Sequence, residues 1–354
     1  MIEALLREWT GETVVLRYDR PTGAWIFIAV HSTRLGPAVG GTRIKSYPDV
    51  RAALQDACRL AEGMTFKFAG PGLPYGGGKA VIALPSDFDP QARPALLRRY
   101  GALVHQLGGL YCTAPDVGTS ADDMDIIAET GAPYVFGCTL AGGGAGPTGP
   151  ATALGVFTGM QVACERLFGE ASLKGRRVLV QGTGSVGRAL IEYLRAAGAQ
   201  VAFSEVDEGA IRRFRDELGL QFVPPGAVYT VECDILAPCA LGAVLNADTI
   251  PQLKCQAVVG GANNQLAEAQ DAERLQARGI LYAPDYVVNV GGAMFGLGVE
   301  TRGWTRERAE QEVVESVRRA LRQVFELAST EGITTAAAAQ QIAGERLSAT
   351  VQSA

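Results

Sequence analysis

Arg177-Val178-Leu179-Val180-Gln181-Gly182-Thr183-Gly184-Ser185-Val186-Gly187-Arg188-Ala189-Leu190 restricts the fold more than any other stretch. A β-branched run leads into Gly-x-Gly-x-x-Gly, and a helical pattern follows through Ala197. A second strand, Gln200-Val201-Ala202-Phe203, ends in Ser204-Glu205-Val206-Asp207. The glycine string alone occurs by chance, but strand, turn, helix, strand and terminal acid together form the βαβ unit that binds a dinucleotide. Gly182 suits the tight turn, Gly184 the approach of a pyrophosphate to the helix start at Thr183, Ser185 and Val186, and Gly187 helix–strand packing. Glu205, or else Asp207, would take the ribose hydroxyls. An acid there repels a 2′-phosphate, so NAD is the expected cofactor.

Further strands are read at 231–237, 256–260 and 279–282, each ending in a ligand-like loop: Ala237-Pro238-Cys239, Gly261-Ala262-Asn263-Asn264 and Pro284-Asp285-Tyr286-Val287-Val288-Asn289. Loops at the carboxyl ends of parallel strands are where doubly wound sheets hold ligands. Thr305 caps a long amphipathic helix to about residue 328, and a last helical segment follows.

The first half opens with a hairpin, 13–18 and 24–30, about Asp19-Arg20-Pro21-Thr22-Gly23. Gly36-Pro37-Ala38-Val39-Gly40-Gly41-Thr42-Arg43 reads as a loop presenting main chain to a ligand. A helical pattern over 49–64 leads to Lys67, and Gly76-Gly77-Gly78-Lys79 precedes an apolar strand at 80–84. The glycine run is either a surface turn beside a solvated lysine or a place where a small ligand meets bare main chain. Two lysines facing one pocket would lower each other's pKa and attract a carboxylate. Asp116, just past a short strand at 111–114, reads as a catalytic acid or base or as a helix-capping turn residue. Asp122, Asp123 and Asp125 read as solvent-facing. Gly142-Gly143-Gly144-Ala145-Gly146-Pro147-Thr148-Gly149-Pro150 reads as an interdomain hinge.

At 354 residues and 47% hydrophobic, the chain can bury two cores of about 150 residues each. Its net charge of −5 is spread along the chain, which argues against nucleic acid or an anionic membrane as partner. Seven cysteines without a C-x-x-C pair, and two distant histidines, point to a reduced cytoplasmic protein with no metal site. No apolar run reaches the roughly 18 residues of a membrane span.

Taken together, these stretches resemble the glutamate/leucine/phenylalanine/valine dehydrogenases, in their leucine and phenylalanine branch. Gly36 to Arg43, Gly63-Met64-Thr65-Phe66-Lys67, Leu73-Pro74-Tyr75-Gly76-Gly77-Gly78-Lys79, Pro115-Asp116-Val117-Gly118-Thr119, the nucleotide fingerprint and Tyr282 to Asn289 carry the likeness. It implies an α/β fold of two domains with a cleft between them: an N-terminal α/β substrate and oligomerisation domain (1–140) and a Rossmann-type dinucleotide-binding domain (141–328). A C-terminal helical segment (329–354) would return to the first. It implies NAD-dependent oxidative deamination of an L-amino acid by a homo-oligomer. Lys67 would hold the substrate carboxylate, Lys79 would stabilise the carbinolamine oxygen, and Asp116 would be the general base. Asn263 would lie by the nicotinamide ribose and substrate amine, Thr152 by the carboxamide, and Asn289 by the substrate carboxylate. The glycines of 76–78 would leave room for substrate and nicotinamide.

The pocket wall implied by the resemblance is Val39, Gly40, Met64, Ala114, Ala293 and Gly296. Glutamate-specific members carry a lysine where Val39 stands, so a side-chain carboxylate would be unpaired here. Small residues at 293 and 296, where leucine enzymes tend to carry valines, favour phenylalanine or another bulky apolar side chain, with leucine or valine as the alternative. A catalytically silent NAD-binding regulator is the competing reading. The presence of Lys67, Lys79 and Asp116 together speaks against it.

Overall fold

A computed structural model describes residues 2–349, which divide into two units. The first unit holds residues up to 146, 296–304 and those from 343 on; the second holds 147–295 and 305–342. Residues 296–304 therefore belong with the first unit, although they fall inside the range expected for the nucleotide domain.

The first unit begins with helix α1 (Ile2–Glu8), strands β1 (Thr13–Asp19), β2 (Ala24–Ser32) and β3 (Ala38–Lys45), and helix α2 (Val50–Ala69). Strand β4 (Gly76–Ala83), helix α3 (Arg93–Gln106), strand β5 (Tyr111–Pro115) and helix α4 (Ala121–Gly131) follow. The sheet order is β1-β2-β4-β3-β5, with β3 parallel to both β4 and β5. All of β4 and nearly all of β2 are buried, because helices cover both faces. Phe27, Ala29, Val81 and Ala83 pack with α2 residues Ala53, Leu54, Ala57 and Ala61. Ile26, Ile28, Ala80 and Ile82 pack instead with Leu96, Tyr100 and Met124 of α3 and α4. Strand alternation therefore puts Lys79 on the α2 face.

Several loop readings become regular structure. Most of the 36–43 stretch lies in β3, and Gly76-Gly77-Gly78 forms the first part of β4. A Cβ on Gly76 would strike the Ser32 carbonyl, on Gly77 Thr65 of α2, and on Gly78 the Tyr111 ring. The glycines thus let strand, helix and ring close up; the side-chain positions they vacate are filled by protein, which corrects the expectation that they keep space for ligands. Helix α2 runs past Lys67, which lies in its last turn. Nor are two of the three aspartates after Asp116 mere solvent decoration. Asp123 completes a capping box with Ser120 and pairs with Arg93, and Asp125 accepts from the Thr139 amide and hydroxyl.

The second unit continues with α5 (Gly149–Phe168), β6 (Arg177–Gln181), α6 (Ser185–Ala196), β7 (Gln200–Ser204), α7 (Glu208–Arg212), β8 (Gln221–Phe222) and β9 (Ile235–Pro238). Then come β10 (Ala257–Val258), α8 (Gln270–Ala277), β11 (Leu281–Tyr282), α9 (Asp285–Val288), α10 (Gly291–Arg302), α11 (Arg306–Glu331) and α12 (Thr335–Ala349). The six strands are parallel in the order β11-β10-β9-β6-β7-β8. Counting from β6, this is the doubly wound dinucleotide order, reversing between β6 and β9. Strands β9, β10 and β11 are shorter than the hydrophobic runs suggested. Thr305 caps α11, its hydroxyl accepting from the Arg308 amide. Among the described residues, no helix is long and apolar enough to cross a membrane.

Candidate active site and nucleotide site

In the first unit the sheet order brings β3, β4 and the end of β5 side by side, and with them Arg43, Lys79 and Asp116. Lys79 is 6% exposed, and its Nζ lies 3.0 Å from Asp116 Oδ2. The same oxygen accepts from Arg43 Nε at 3.0 Å. Thr119 Oγ1 accepts from the Asp116 amide at 2.8 Å and donates to the Thr42 carbonyl at 2.9 Å, tying the loop back to β3. Gly41 has no side chain because Pro115 and Asp116 occupy that position. Asp116 is therefore not the cap of α4, a part taken by Ser120.

Burial pulls the Lys79 ammonium below the usual lysine range; Asp116 opposes this and Arg43 adds to it. Burial alone would raise the Asp116 carboxyl, but Lys79 and Arg43 outweigh it and hold it below the ordinary carboxylate value. An ammonium that burial disfavours thus stands against a base that stays ionised at neutral pH.

Lys67 is partly buried in the last turn of α2. Val39 is buried at 1% exposed, and the side-chain position of Gly40 is taken by the Gly78 carbonyl, so Gly40 can offer a ligand main chain only. Met64 and Ala114 are partly exposed. A Cβ on Gly296 would meet nothing within 4 Å except the Phe136 ring edge, at 4.0 Å, so this position is open. Ala293 lies on α10, in the part assigned to the second unit.

The second unit has the local geometry a dinucleotide needs. Gly182 has φ +95°, which glycine adopts freely, and a Cβ there would press on Ala240. Around Gly184, where α6 starts, a Cβ would meet nothing within 4 Å. At Gly187 a Cβ would strike the Gly182 carbonyl. Glu205 Oε2 accepts from the Thr183 amide and hydroxyl, both at 2.8 Å, and Oε1 from the Val206 amide at 2.7 Å. Burial raises the Glu205 carboxyl, and these bonds more than reverse the effect. Asp207 instead caps α7, accepting from the Ala210 amide at 2.8 Å. Pro238 and Cys239 close β9 beside β6, the Cys239 amide donating to Gln181. Thr152 donates its hydroxyl to the Thr148 carbonyl within α5.

Asn289 and Asn263 are brought together, Asn289 Nδ2 donating to Asn263 Oδ1 at 2.8 Å and to the Gly261 carbonyl at 3.3 Å. Asn289 Oδ1 is buried without a hydrogen-bond partner. An orphaned acceptor suits an ammonium or amide donor.

Arg43, Asp56 and Tyr47 carry no motif of their own, yet the structure joins them to Asp116. Arg43 Nη1 donates to Asp56 Oδ2 at 3.0 Å and Tyr47 donates to the same oxygen at 2.7 Å. Arg43 stands on β3, Tyr47 in the loop after it and Asp56 on α2, so no single periodicity in the sequence sets them apart from surface residues.

Family models described as "Glu/Leu/Phe/Val dehydrogenase, dimerisation domain" and "Glutamate/Leucine/Phenylalanine/Valine dehydrogenase" match residues 19–132 and residues 143–221 and 202–353. The chain belongs to this family. It is 43% identical to leucine dehydrogenase of Bacillus cereus over 342 residues, 97% of this chain and 92% of that one. It is 40% identical to phenylalanine dehydrogenase of Lysinibacillus sphaericus over 335 residues, covering 93% and 87%. The solved L-tryptophan dehydrogenase of Nostoc punctiforme superposes with a TM-score of 0.86 at 37% identity, covering 99% and 100%. The chain is accordingly an NAD-dependent oxidoreductase of the amino acid dehydrogenase type. Its own residues fit NAD, with open main chain at Gly184 for the pyrophosphate and a carboxylate at Glu205 for the ribose.

Proposed function

We propose that this dehydrogenase oxidatively deaminates an apolar L-amino acid to the 2-oxo acid and ammonia, reversibly, with a bulky or aromatic side chain preferred. The observation that carries the reading is the Lys79–Asp116 pair, 3.0 Å apart and largely buried on a family scaffold. Lys67 binds the substrate carboxylate. Asp116 takes a proton from the substrate ammonium, because hydride leaves Cα only from the neutral amine. Bound NAD supplies the hydride acceptor. Asp116 passes its proton to solvent before water adds to the iminium carbon; it then receives the water's proton, and Lys79 stabilises the oxygen that develops negative charge. Proton return to nitrogen and collapse of the carbinolamine release ammonia.

The open position at Gly296 supports the larger side chain. Branched-chain substrates are the second reading, favoured by the 43% identity to a leucine dehydrogenase. Homo-oligomerisation through the first unit is part of the proposal, supported by the matched dimerisation-domain model and by Leu16 and Tyr18, exposed on edge strand β1. Seven unpaired thiols support a cytoplasmic setting. NADH formation across a panel of L-amino acids tests the reading; a chain that binds NAD but turns over none of them would be the silent regulator.

A further inference from the structure

Nothing in this deamination scheme uses Arg43 beyond its bond to Asp116, or Asp56 and Tyr47 at all. Yet the four charged groups form one chain: Lys79 Nζ, Asp116 Oδ2, Arg43 through Nε and Nη1, then Asp56 Oδ2. Arg43 and Asp56 side chains are 18% and 13% exposed. Asp56 is itself fixed from two further sides, by the Tyr47 hydroxyl at 2.7 Å and by Arg59 Nη2 at 2.8 Å. A guanidinium shared between two largely buried carboxylates gains little net stability once desolvation is counted. Its planar fork, however, fixes the orientation of both partners, which an ammonium could not do.

We propose that Arg43 and Asp56 are positioning residues for the Lys79–Asp116 pair: Arg43 orients the Asp116 carboxylate, and Asp56 anchors Arg43 and offsets its charge. The proposal rests on the deamination reading above. The charged and titratable groups that act on the pair are Arg43 from β3 and Asp56 from α2, and Tyr47, from the loop after β3, and Arg59, from α2, bind Asp56. Within the chain of four, two cations alternate with two anions. Removing Arg43 takes a cation away from Lys79 and Asp116, while removing Asp56 leaves the Arg43 charge acting on them undiluted. After the effect of burial, Asp116 and Asp56 raise the Lys79 ammonium and Arg43 lowers it, so the two removals push in opposite directions.

The test is the pH profile of kcat/KM for wild type, Arg43→Gln, Asp56→Asn and the double variant, with NAD binding and thermal melts as checks of folding. The alkaline limb moves to higher pH in Arg43→Gln, by about one unit, and to lower pH in Asp56→Asn. The kcat of Arg43→Gln falls on the order of 100-fold, as misplacement of a reacting group does. In kcat, Asp56→Asn adds little once Arg43 is gone, because Asp56 orients the Asp116 carboxylate only through Arg43, whereas its own charge still acts on the limb. Arg43→Lys keeps the charge without the fork, so kcat falls while the limb stays near its wild-type position; this variant decides the matter if Arg43→Gln does not fold. Limbs that stay put in folded Arg43→Gln and Asp56→Asn, or move the same way in both, would overturn the relay while wild-type turnover leaves the reading intact. A wild-type chain without turnover would overturn the reading and the relay with it.

Discussion

Lys79 Nζ stands 3.0 Å from Asp116 Oδ2, although the two residues sit on elements separated by a whole helix and are joined laterally only through β3. At this separation and an effective dielectric near 20, their attraction is on the order of 5 kcal/mol before desolvation. That is enough to fix the geometry of a proton acceptor beside a cation.

Lys79→Ala should lower turnover by about 100- to 1000-fold or more, the usual cost of losing a donor to a developing oxyanion. NAD affinity should remain close to wild type, since Gly182, Gly184 and Glu205 belong to the second unit. Steady-state kinetics and fluorescence titration with NAD separate the two effects; loss of both would assign Lys79 a structural role.

Gly296→Val should fill the open position beside Phe136. The ratio of kcat/KM for phenylalanine over leucine should drop by about tenfold, the scale of a methylene-sized change in an apolar pocket. An unchanged ratio would remove Gly296 from the specificity wall.

Gly40→Ala should be destabilising by about 1–3 kcal/mol, because the added methyl meets the Gly78 carbonyl in a sheet that cannot yield. Thermal melts at fixed protein concentration read the effect, and a wild-type Tm would show that β3 and β4 are not so closely set.

Asp19 makes a two-point bond to Arg99, at 2.6 and 2.7 Å, and accepts from Thr22 at 2.5 Å. Burial raises its carboxyl, but Arg99 and Thr22 bring it below the ordinary value of 3.8. The folded carboxyl thus binds its proton less readily than the unfolded one, so its stabilisation is complete above about pH 4 and is lost as pH falls through the lower folded value. Asp19→Asn should cost about 1–2 kcal/mol at pH 7, a figure kept low because Arg99 is partly exposed. Urea melts should show this cost shrinking as pH falls below about 4; a constant cost would mean that packing, not charge, is what Asp19 provides.

The nucleotide unit was legible because its parts are consecutive: strand, glycine turn, helix and Glu205 follow one another, and each glycine's task is set by near neighbours. Lys79 and Asp116 could be picked out one at a time by their glycine and proline surroundings. Their pairing with Arg43 and Asp56 could not, since it arises from the insertion of β3 between β4 and β5 and from the face that α2 covers. Gly76-Gly77-Gly78 read as a loop because glycine seldom favours strands. Tertiary packing reverses that preference when Thr65, Ser32 and Tyr111 need the space. Helix α10 is apolar along most of its length, so no periodicity told that its residues from Gly296 belong with the first unit.

The most direct test of the account is the rate of NADH formation by the purified wild-type chain with NAD and each of phenylalanine, tryptophan, leucine, valine and glutamate. The account predicts turnover of the apolar amino acids, phenylalanine or tryptophan at or above leucine in kcat/KM, and little with glutamate. No turnover of any apolar amino acid would contradict the assigned chemistry, and leucine far exceeding both aromatic substrates would contradict the reading of the open Gly296 position.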